Sequence, residues 1–572
     1  SFPMTSGTIQ RGARALAERL ASHPRVALDG YGGVLWEALR AALDREFMAR
    51  GLRVAWRPTS EAFRPPEILE DMLAPYLGGS DPLFGRRYDG SLRDFFDPAA
   101  LARLQPDPHA DLSITYGPGA ALAAPGAFLA YLDLPKDEIQ RRAGSGSISN
   151  LGCLTPAPPK LMYKRFYFVD WPALNAHKQN LLPQLDLIAD AQDPQAPTFT
   201  EGADLRATLD TMSRNVLRAR PWFAPGPWGG QWLKQSIPGL PQDVANYAWS
   251  FELIAPENGL VLHNGPHTLE VSFDTLMFHA AENILGEAAS RFGHHFPIRF
   301  DYLDTMNGGN LSIQCHPAPA YIRQHFGEPF TQDETYYILD CQPGAQVYLG
   351  FQDDIDPTAF RAALEACART GRKLDPDRWL HHEDAHKHDL FLIPHGTVHA
   401  SGAGNMVLEI SATPYIFTFK MYDWQRLGLD GQPRPLNLER AFANLDFERT
   451  ASRIPTEFVS RPRTLAAGPD WRVLHLPTHP DHFYDVHRLE FSSSLKVETN
   501  DSCHVLNVVE GDAVRVRTAE GMEHVFHYAE SFVVPAAAGS YTLSDAGGAQ
   551  AGGRSLKVVK AFVKPGQGQA RA

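Results

Sequence analysis

The sequence predicts a chain in two styles: an α/β first part built on a mostly parallel sheet, then a β-rich remainder of antiparallel barrels carrying a helical insertion. Three observations predict it. Residues 25–43, RVALDGYGGVLWEALRAAL, read as strand, glycine turn and helix, and more strand and helix pieces alternate after them. Residues 471–563 hold short runs rich in β-branched residues, spaced roughly 8 to 12 residues apart with glycine turns between them, the pattern of an antiparallel barrel. Between the two, side chains suited to metal binding stand far apart in sequence on short alternating runs, as residues of a barrel wall do.

In chain order, residues 8–22 read as an amphipathic helix, followed by the strand, turn and helix of residues 25–43. Further α/β pieces are LRVAWRP (52–58), DLSITYGPGAAL (111–122), AFLAYLDLPKDEIQRR (127–142) and KRFYFVDWP (164–172). A turn such as Gly30, Gly32 and Gly33 can cradle phosphate at a helix N-terminus. A working phosphate loop also needs Lys and then Ser or Thr after its last glycine, and Val34 and Leu35 stand there instead. The segment resembles a nucleoside-kinase type of P-loop domain that has lost its phosphate lysine, which implies a degenerate, scaffold-like domain.

Residues 144–159 and 190–202 are rich in turn formers and read as surface connections. The aromatic residues of RPWFAPGPWGGQWL (220–233) read as core or subunit-edge packing. Apolar periodicity predicts helices over residues 273–285 and between residues 357 and 374, the second lying between barrel strands. The densest histidine cluster, HHEDAHKHDL (381–390), could pass for a metal site, but the resemblance of its Lys387–Asp389 to a turn of a known family implies a solvated loop. His482, His487 and His504 lack ligand spacing and read as ordinary strand histidines.

The chemistry concentrates in residues 296–399. Gln314 and His316 stand two apart in a β-rich run, so both face one way. Glu334 precedes an alternating apolar run and His399 follows a Pro-Gly turn. Two imidazoles, a carboxylate and an amide form an N/O set suited to Zn²⁺ or another divalent ion. Cys315, between two of these residues, turns to the opposite face.

The segments NLSIQCHP (310–317), QDETYYIL (332–339) and LIPHGTVHASG (392–402) resemble class I mannose-6-phosphate isomerases, a cupin family. The resemblance runs on through PGPWGGQW (225–232), AWSFEL (248–253), FPIRFDYLDT (296–305), EIS (409–411) and TFKMYDW (418–424). It implies one Zn²⁺ per chain on Gln314, His316, Glu334 and His399. It further implies an aldose–ketose isomerase working by enediol proton transfer between C1 and C2, with mannose 6-phosphate as the default substrate. Glu409 stands where the family has its candidate base, Lys420 where it has an arginine, and Ser312 and Arg299 where it has phosphate-side residues. Gln332 replaces a family lysine, which opens the possibility of another sugar phosphate or an unphosphorylated sugar. The implied plan is a kinase-like α/β domain over 1–205, a metal-binding cupin (jelly-roll) domain with the helical insertion over 206–440, and a second cupin domain without metal over 441–572.

Composition narrows the partners. A net charge of −13 argues against nucleic acid and anionic membranes, and no apolar run reaches the ~18 residues of a membrane span. Five cysteines without CxxC spacing fit a reducing cytoplasm. The expected partner is a small sugar or sugar phosphate. Two alternatives to the isomerase are a metal-cupin sugar sensor without turnover, and a bifunctional kinase-isomerase, which the absent loop lysine disfavours.

Overall fold

The computed structural model describes residues 1–412, 417–547 and 555–566. They form two compact units, one of residues 1–213, 217–220 and 256–281, the other of residues 214–216, 221–255 and 282–572.

The first unit is built on a seven-stranded sheet. Val54–Pro58, Leu112–Tyr116, Arg25–Gly30, Phe128–Asp133 and Leu187–Asp190 lie side by side in that order, and every neighbouring pair is parallel. Parallel strands need crossovers, and the helix Trp36–Ala49 supplies one between Arg25–Gly30 and Val54–Pro58, which flank Leu112–Tyr116 in the sheet. Leu112–Tyr116 is buried along its whole length, as a strand covered on both faces must be. Thr198–Glu201 and Gln10–Arg11 extend the sheet antiparallel. The expected helix over 8–22 therefore starts later, at Ala13. Gln10 and Arg11 pair with Phe199 and Thr198 instead, and Gly12 separates strand from helix with φ 104°, a conformation open to glycine.

Several buried charges in this unit are paired. At the end of the first parallel strand Asp29 accepts from the Gly119 and Ala121 amides at 3.0 and 2.9 Å and meets His177 Nε2 at 2.8 Å. Lys178 Nζ reaches Asp133 at 2.6 Å and the Ser272 hydroxyl at 2.8 Å, and Lys136 reaches Asp274 at 3.2 Å. Ser272 and Asp274 come from a hairpin, Gly259–Asn264 with His267–Ser272, and the helix after it, which the local pattern alone does not assign to this unit. Residues 144–159, expected as a surface connection, bury Ile148, Asn150 and Leu151.

The second unit contains two antiparallel sheet pairs. In the first pair, the six-stranded sheet runs Leu390–Ile393, Asp333–Cys341, Asn405–Ala412, Arg299–Asp304, Trp249–Leu253, Trp222–Ala224. Its five-stranded partner runs Leu380–Asp384, Gln346–Phe351, His399–Ser401, Ile313–Cys315, Phe419–Tyr422. The helical insertion is Pro357–Thr370, opened by the Asp356 side chain accepting from Thr358 and Ala359 amides and closed by Gly371 at φ 73°. The histidine-rich stretch departs from the expected loop: Leu380–Asp384 is an edge strand, and its alternation with Gln346–Phe351 leaves His381 and His382 partly buried.

The second pair consists of a six-stranded sheet, from Arg463–Ala467 to Ser531–Val534, and a four-stranded sheet, from Ser494–Glu498 to Glu523–His527. Leu489, Phe491, Leu506, Val514, Leu543 and Val558 fill the space between them. Each such side chain contributes about 1.5–3 kcal/mol over its exposed state. Among the described residues no helix is long and apolar enough to cross a membrane.

Candidate metal centre and active site

Gln314 and His399 are direct cross-strand partners on the five-stranded sheet, and Glu334 lies on the facing six-stranded one. His316 follows the strand Ile313–Cys315. Across the gap His316 Nε2 lies 3.1 Å from Glu334 Oε2, and His399 Nε2 lies 2.9 Å from Glu334 Oε1, with all three residues fully buried. Both rings give their other nitrogen to the main chain: His316 Nδ1 donates to the Phe417 carbonyl at 2.9 Å and His399 Nδ1 to the Thr397 carbonyl at 2.9 Å. A carbonyl can only accept, so in each neutral ring the proton sits on Nδ1 and the Nε2 lone pair points at Glu334. Neither His316 Nε2 nor Glu334 Oε1 makes a hydrogen bond of acceptable geometry. Unsatisfied lone pairs converging in a buried space are what a cation would occupy.

Gln314 adjoins this cluster. Its Nε2 lies 3.3 Å from His399 Nε2 and its Oε1 accepts from the Ser312 hydroxyl at 2.9 Å. Amide oxygen and nitrogen exchange places on a half-turn of the last bond, so the same side chain can offer oxygen to a cation. Gln332 Nε2 donates to Glu334 Oε2 at 2.9 Å and orients that carboxylate. Burial alone would raise the Glu334 carboxyl, but a second proton on the His316 and His399 rings would hold it well below the usual carboxylate range. Cys315 points away, with Sγ toward the Ala441 carbonyl.

Register explains how distant acids share one wall. Asp301, Glu409 and Tyr336 stand opposite one another on three adjacent strands, and so do Arg299, Ser411 and Glu334. Residues directly opposite, or two apart, share a face. Asp301, Glu334 and Glu409 therefore crowd one buried face against one guanidinium, Arg299, which contacts both Asp301 and Glu409. Burial drives the Glu409 carboxyl well above the usual range despite Arg299, and Asp301 and Glu334 push it the same way. This surplus of negative charge is a second feature that suits a bound dication.

A cavity of about 200 Å³ opens beside the cluster. Arg299, Ser312, Gln314, Glu409 and Lys420 all line it. Lys420, the cross-strand partner of Gln314, has its ammonium pushed down to about 8 by burial and by Arg434. Among the wall residues that sequence reasoning missed are Asp301, Trp228 and Arg434. Trp228 packs edge-on against Trp249 at 4.8 Å and also borders the cavity, so its aromatic stretch does more than fill a core. Arg434 sits in a loop beyond the metal-site strands and pairs with Asp423; only an arginine- and proline-rich composition marks that loop in the sequence.

The glycine turn of the first unit borders a larger cavity, about 680 Å³, with Thr59, Tyr116, Asn150 and Phe166 on its wall. It lies past the carboxyl ends of parallel strands, where open α/β sheets place ligands. The immediate surroundings of the turn are apolar: Leu174 packs beside Gly32, and Ile148, Ile139 and Leu134 beside Gly33, whose φ is 88°. Val34, at the position where a phosphate lysine would stand, is buried.

Residues 12–214 match a family described as a domain of unknown function (DUF8485). The chain is 27% identical over 231 residues to the mannose-6-phosphate isomerase ManA of Bacillus subtilis (strain 168), covering 40% of this chain and 68% of that protein. It is 26% identical over 304 residues to the mannose-6-phosphate isomerase of Streptococcus mutans serotype c, covering 52% and 84%. Against the crystal structure of the mannose 6-phosphate isomerase from Bacillus subtilis the TM-score is 0.47 at 19% identity, spanning 60% of this chain and 99% of that one. In sequence, the chain is similar to mannose-6-phosphate isomerases over roughly half its length.

Proposed function

We propose that the second unit is a metal-dependent aldose–ketose isomerase acting on a sugar phosphate, with mannose 6-phosphate and fructose 6-phosphate as the first pair to test. One observation carries the reading: His316, Glu334 and His399 gather three ligand atoms, two of them (His316 Nε2 and Glu334 Oε1) without a hydrogen bond, beside a cavity that also holds a carboxyl, Glu409, and an ammonium, Lys420. The similarity to mannose-6-phosphate isomerases supports the choice of substrate class.

Gln314, His316, Glu334 and His399 would hold one Zn²⁺ per chain, and when bound it supplies Lewis-acid charge at the sugar oxygens. The protein's own groups do the rest. Glu409, whose carboxyl burial raises above the usual carboxylate range, moves the proton between C1 and C2. Lys420, across the cavity, steadies the enediolate oxygen. Arg299 faces Asp301 and Glu409 rather than open solvent, so its charge orients the base as well as any anionic substrate group. Ser312 and Arg434 offer further donors for the phosphate, Arg434 providing the cation that Gln332 lacks. In this reading residues 1–205, joined by 256–281, form a scaffold, the rest of 206–440 the catalytic cupin domain and 441–572 a second cupin domain. The five free cysteines suit a cytoplasmic setting.

The test is a coupled assay of the full chain against mannose 6-phosphate, other hexose phosphates and free sugars, with and without chelator. Turnover of one phosphate that falls away with chelator supports the reading; metal-loaded protein inert toward the whole panel overturns it. The engagement of Glu409 by Arg299 favours a second reading, a sugar binder without turnover. Calorimetric sugar binding by inert, metal-loaded protein would select it.

A further inference from the structure

The inner face of the second sheet pair ends in a polar row. Trp471–Leu476, Tyr484–Phe491 and Leu556–Val563 are neighbours in unbroken antiparallel register. Across them Val473, Leu489 and Val558 stand opposite one another, and Leu489 and Val558 belong to the hydrophobic core, with Val473 packed against it. Two residues further along the same face, the row becomes His475, His487 and Lys560. Asp485, two before His487, shares that face. An apolar core has no use for imidazoles and a carboxylate at its rim, and barrel mouths are favoured ligand sites.

The three groups are already gathered. His475 Nε2 lies 2.8 Å from Asp485 Oδ2, the His475 and His487 ring centroids are 5.5 Å apart, and one donor atom from each residue lies within 4.8 Å of the others. Asp485 is held by the Val486 amide at 3.0 Å and the Thr478 hydroxyl at 3.3 Å, both on its second oxygen, which leaves Oδ2 facing the histidines. All three residues are partly buried, so an ion can reach them from solvent.

We propose that His475, Asp485 and His487 form a second metal site, taking a borderline transition-metal ion such as Zn²⁺ or Ni²⁺. Two imidazole nitrogens and one carboxylate oxygen match that class, whereas Mg²⁺ and Ca²⁺ prefer all-oxygen sets. Three protein ligands leave coordination positions for water. Two cationic side chains face the row and oppose a dication: Lys560 stands opposite His487, and Arg463 lies 3.4 Å from His475 Nδ1. The neighbouring His504 is engaged by the Tyr541 hydroxyl at 2.9 Å and keeps out of the set. The site is accordingly weaker than the buried centre and tightens when the Lys560 charge is removed. This inference departs from the expectation, implied by resemblance, that the second cupin carries no metal.

The test strips full-length protein of metal, reloads it with Zn²⁺ and counts bound metal by mass spectrometry after desalting, with Ni²⁺ as a second probe. Two ions are expected in the unmutated chain and one in His487→Gln or Asp485→Asn. Titration calorimetry should show the weaker of two isotherms vanish in those variants and tighten in Lys560→Met, by ~10-fold if one nearby charge is worth about 1.4 kcal/mol. Circular dichroism melts establish that each variant is folded. His316→Gln separates this inference from the function proposed above: if it removes a different ion, both stand, and if it keeps both ions while His487→Gln loses one, only the first centre fails. A folded His487→Gln that binds as much Zn²⁺ and Ni²⁺ as the unmutated chain overturns the proposal, as does an unmutated chain whose single ion is lost with His316→Gln.

Discussion

His399 Nε2 stands 2.9 Å from Glu334 Oε1 although the ring's proton is already given, through Nδ1, to the Thr397 carbonyl. Two acceptors held face to face in a buried space repel one another unless a cation or an added proton lies between them. Glu334→Ala should therefore abolish tight Zn²⁺ binding at this centre. Chelator should lower the melting temperature of the unmutated chain by much more than that of the variant, because a ligand present at about a thousand times its Kd adds about 4 kcal/mol. A Glu334→Ala protein whose chelator-induced shift equals that of the unmutated chain would defeat this prediction.

Glu409→Gln preserves shape and still bonds Arg299, but it cannot accept a proton. Turnover should fall by at least ~10²-fold with the metal content of the first centre unchanged. Steady-state kinetics beside metal analysis decides it, and normal turnover would move the base to another residue.

Arg434→Ala should raise KM for the phosphorylated sugar about tenfold or more, since a charge-assisted bond to an anion contributes about 1.5–3 kcal/mol. KM for the matching free sugar, if it is turned over, should barely change. Equal effects on both sugars would assign Arg434 a packing role with Asp423 instead.

The first unit should not hydrolyse ATP, because Val34 is buried where the phosphate lysine would stand and apolar side chains crowd Gly32 and Gly33. A phosphate-release assay on full-length protein checks this. ATPase activity that disappears on changing Gly32 or Gly33 would show the loop to be functional.

Burial pushes the Glu270 carboxyl up to about 7, against the pull of Arg220 at 2.7 Å. The folded state therefore holds this proton more tightly than the unfolded chain, whose value is near 4.5. Its contribution to stability is complete below about 4.5 and is lost as pH rises through about 7. Between pH 5 and pH 8 the melting temperature of the unmutated chain should fall relative to that of Glu270→Gln. Parallel shifts in the two proteins would count against the assignment.

Much of this architecture is legible in the sequence because it rests on local pattern. The apolar run LSITY reads as a strand buried on both faces, Asp356 and Gly371 bracket the inserted helix, and the types and order of His316, Glu334 and His399 suggest ligands before any geometry is known. What stayed hidden depends on register between distant strands. Nothing near Asp301 in the chain announces that it will stand opposite Glu409, and nothing near Arg434 places it on the same cavity wall. His487 looks like an ordinary strand histidine until His475 is found across from it. Nothing in residues 259–272 tells that they form a hairpin of the first unit rather than of the second.

That last point bears on how the protein is made. Lys136 and Lys178 are synthesised early, yet Asp274 and Ser272, which receive them, emerge from the ribosome about a hundred residues later. A nascent chain, or a recombinant fragment cut at residue 213, must hold two ammonium groups beside the central sheet with part of their polar surroundings missing. Removing one partner of a buried pair costs about 3–5 kcal/mol, a large part of a typical domain's net stability. The α/β unit should therefore remain loose, chaperone-dependent and prone to aggregate when expressed as residues 1–213, and become soluble once residues 256–281 are supplied with it.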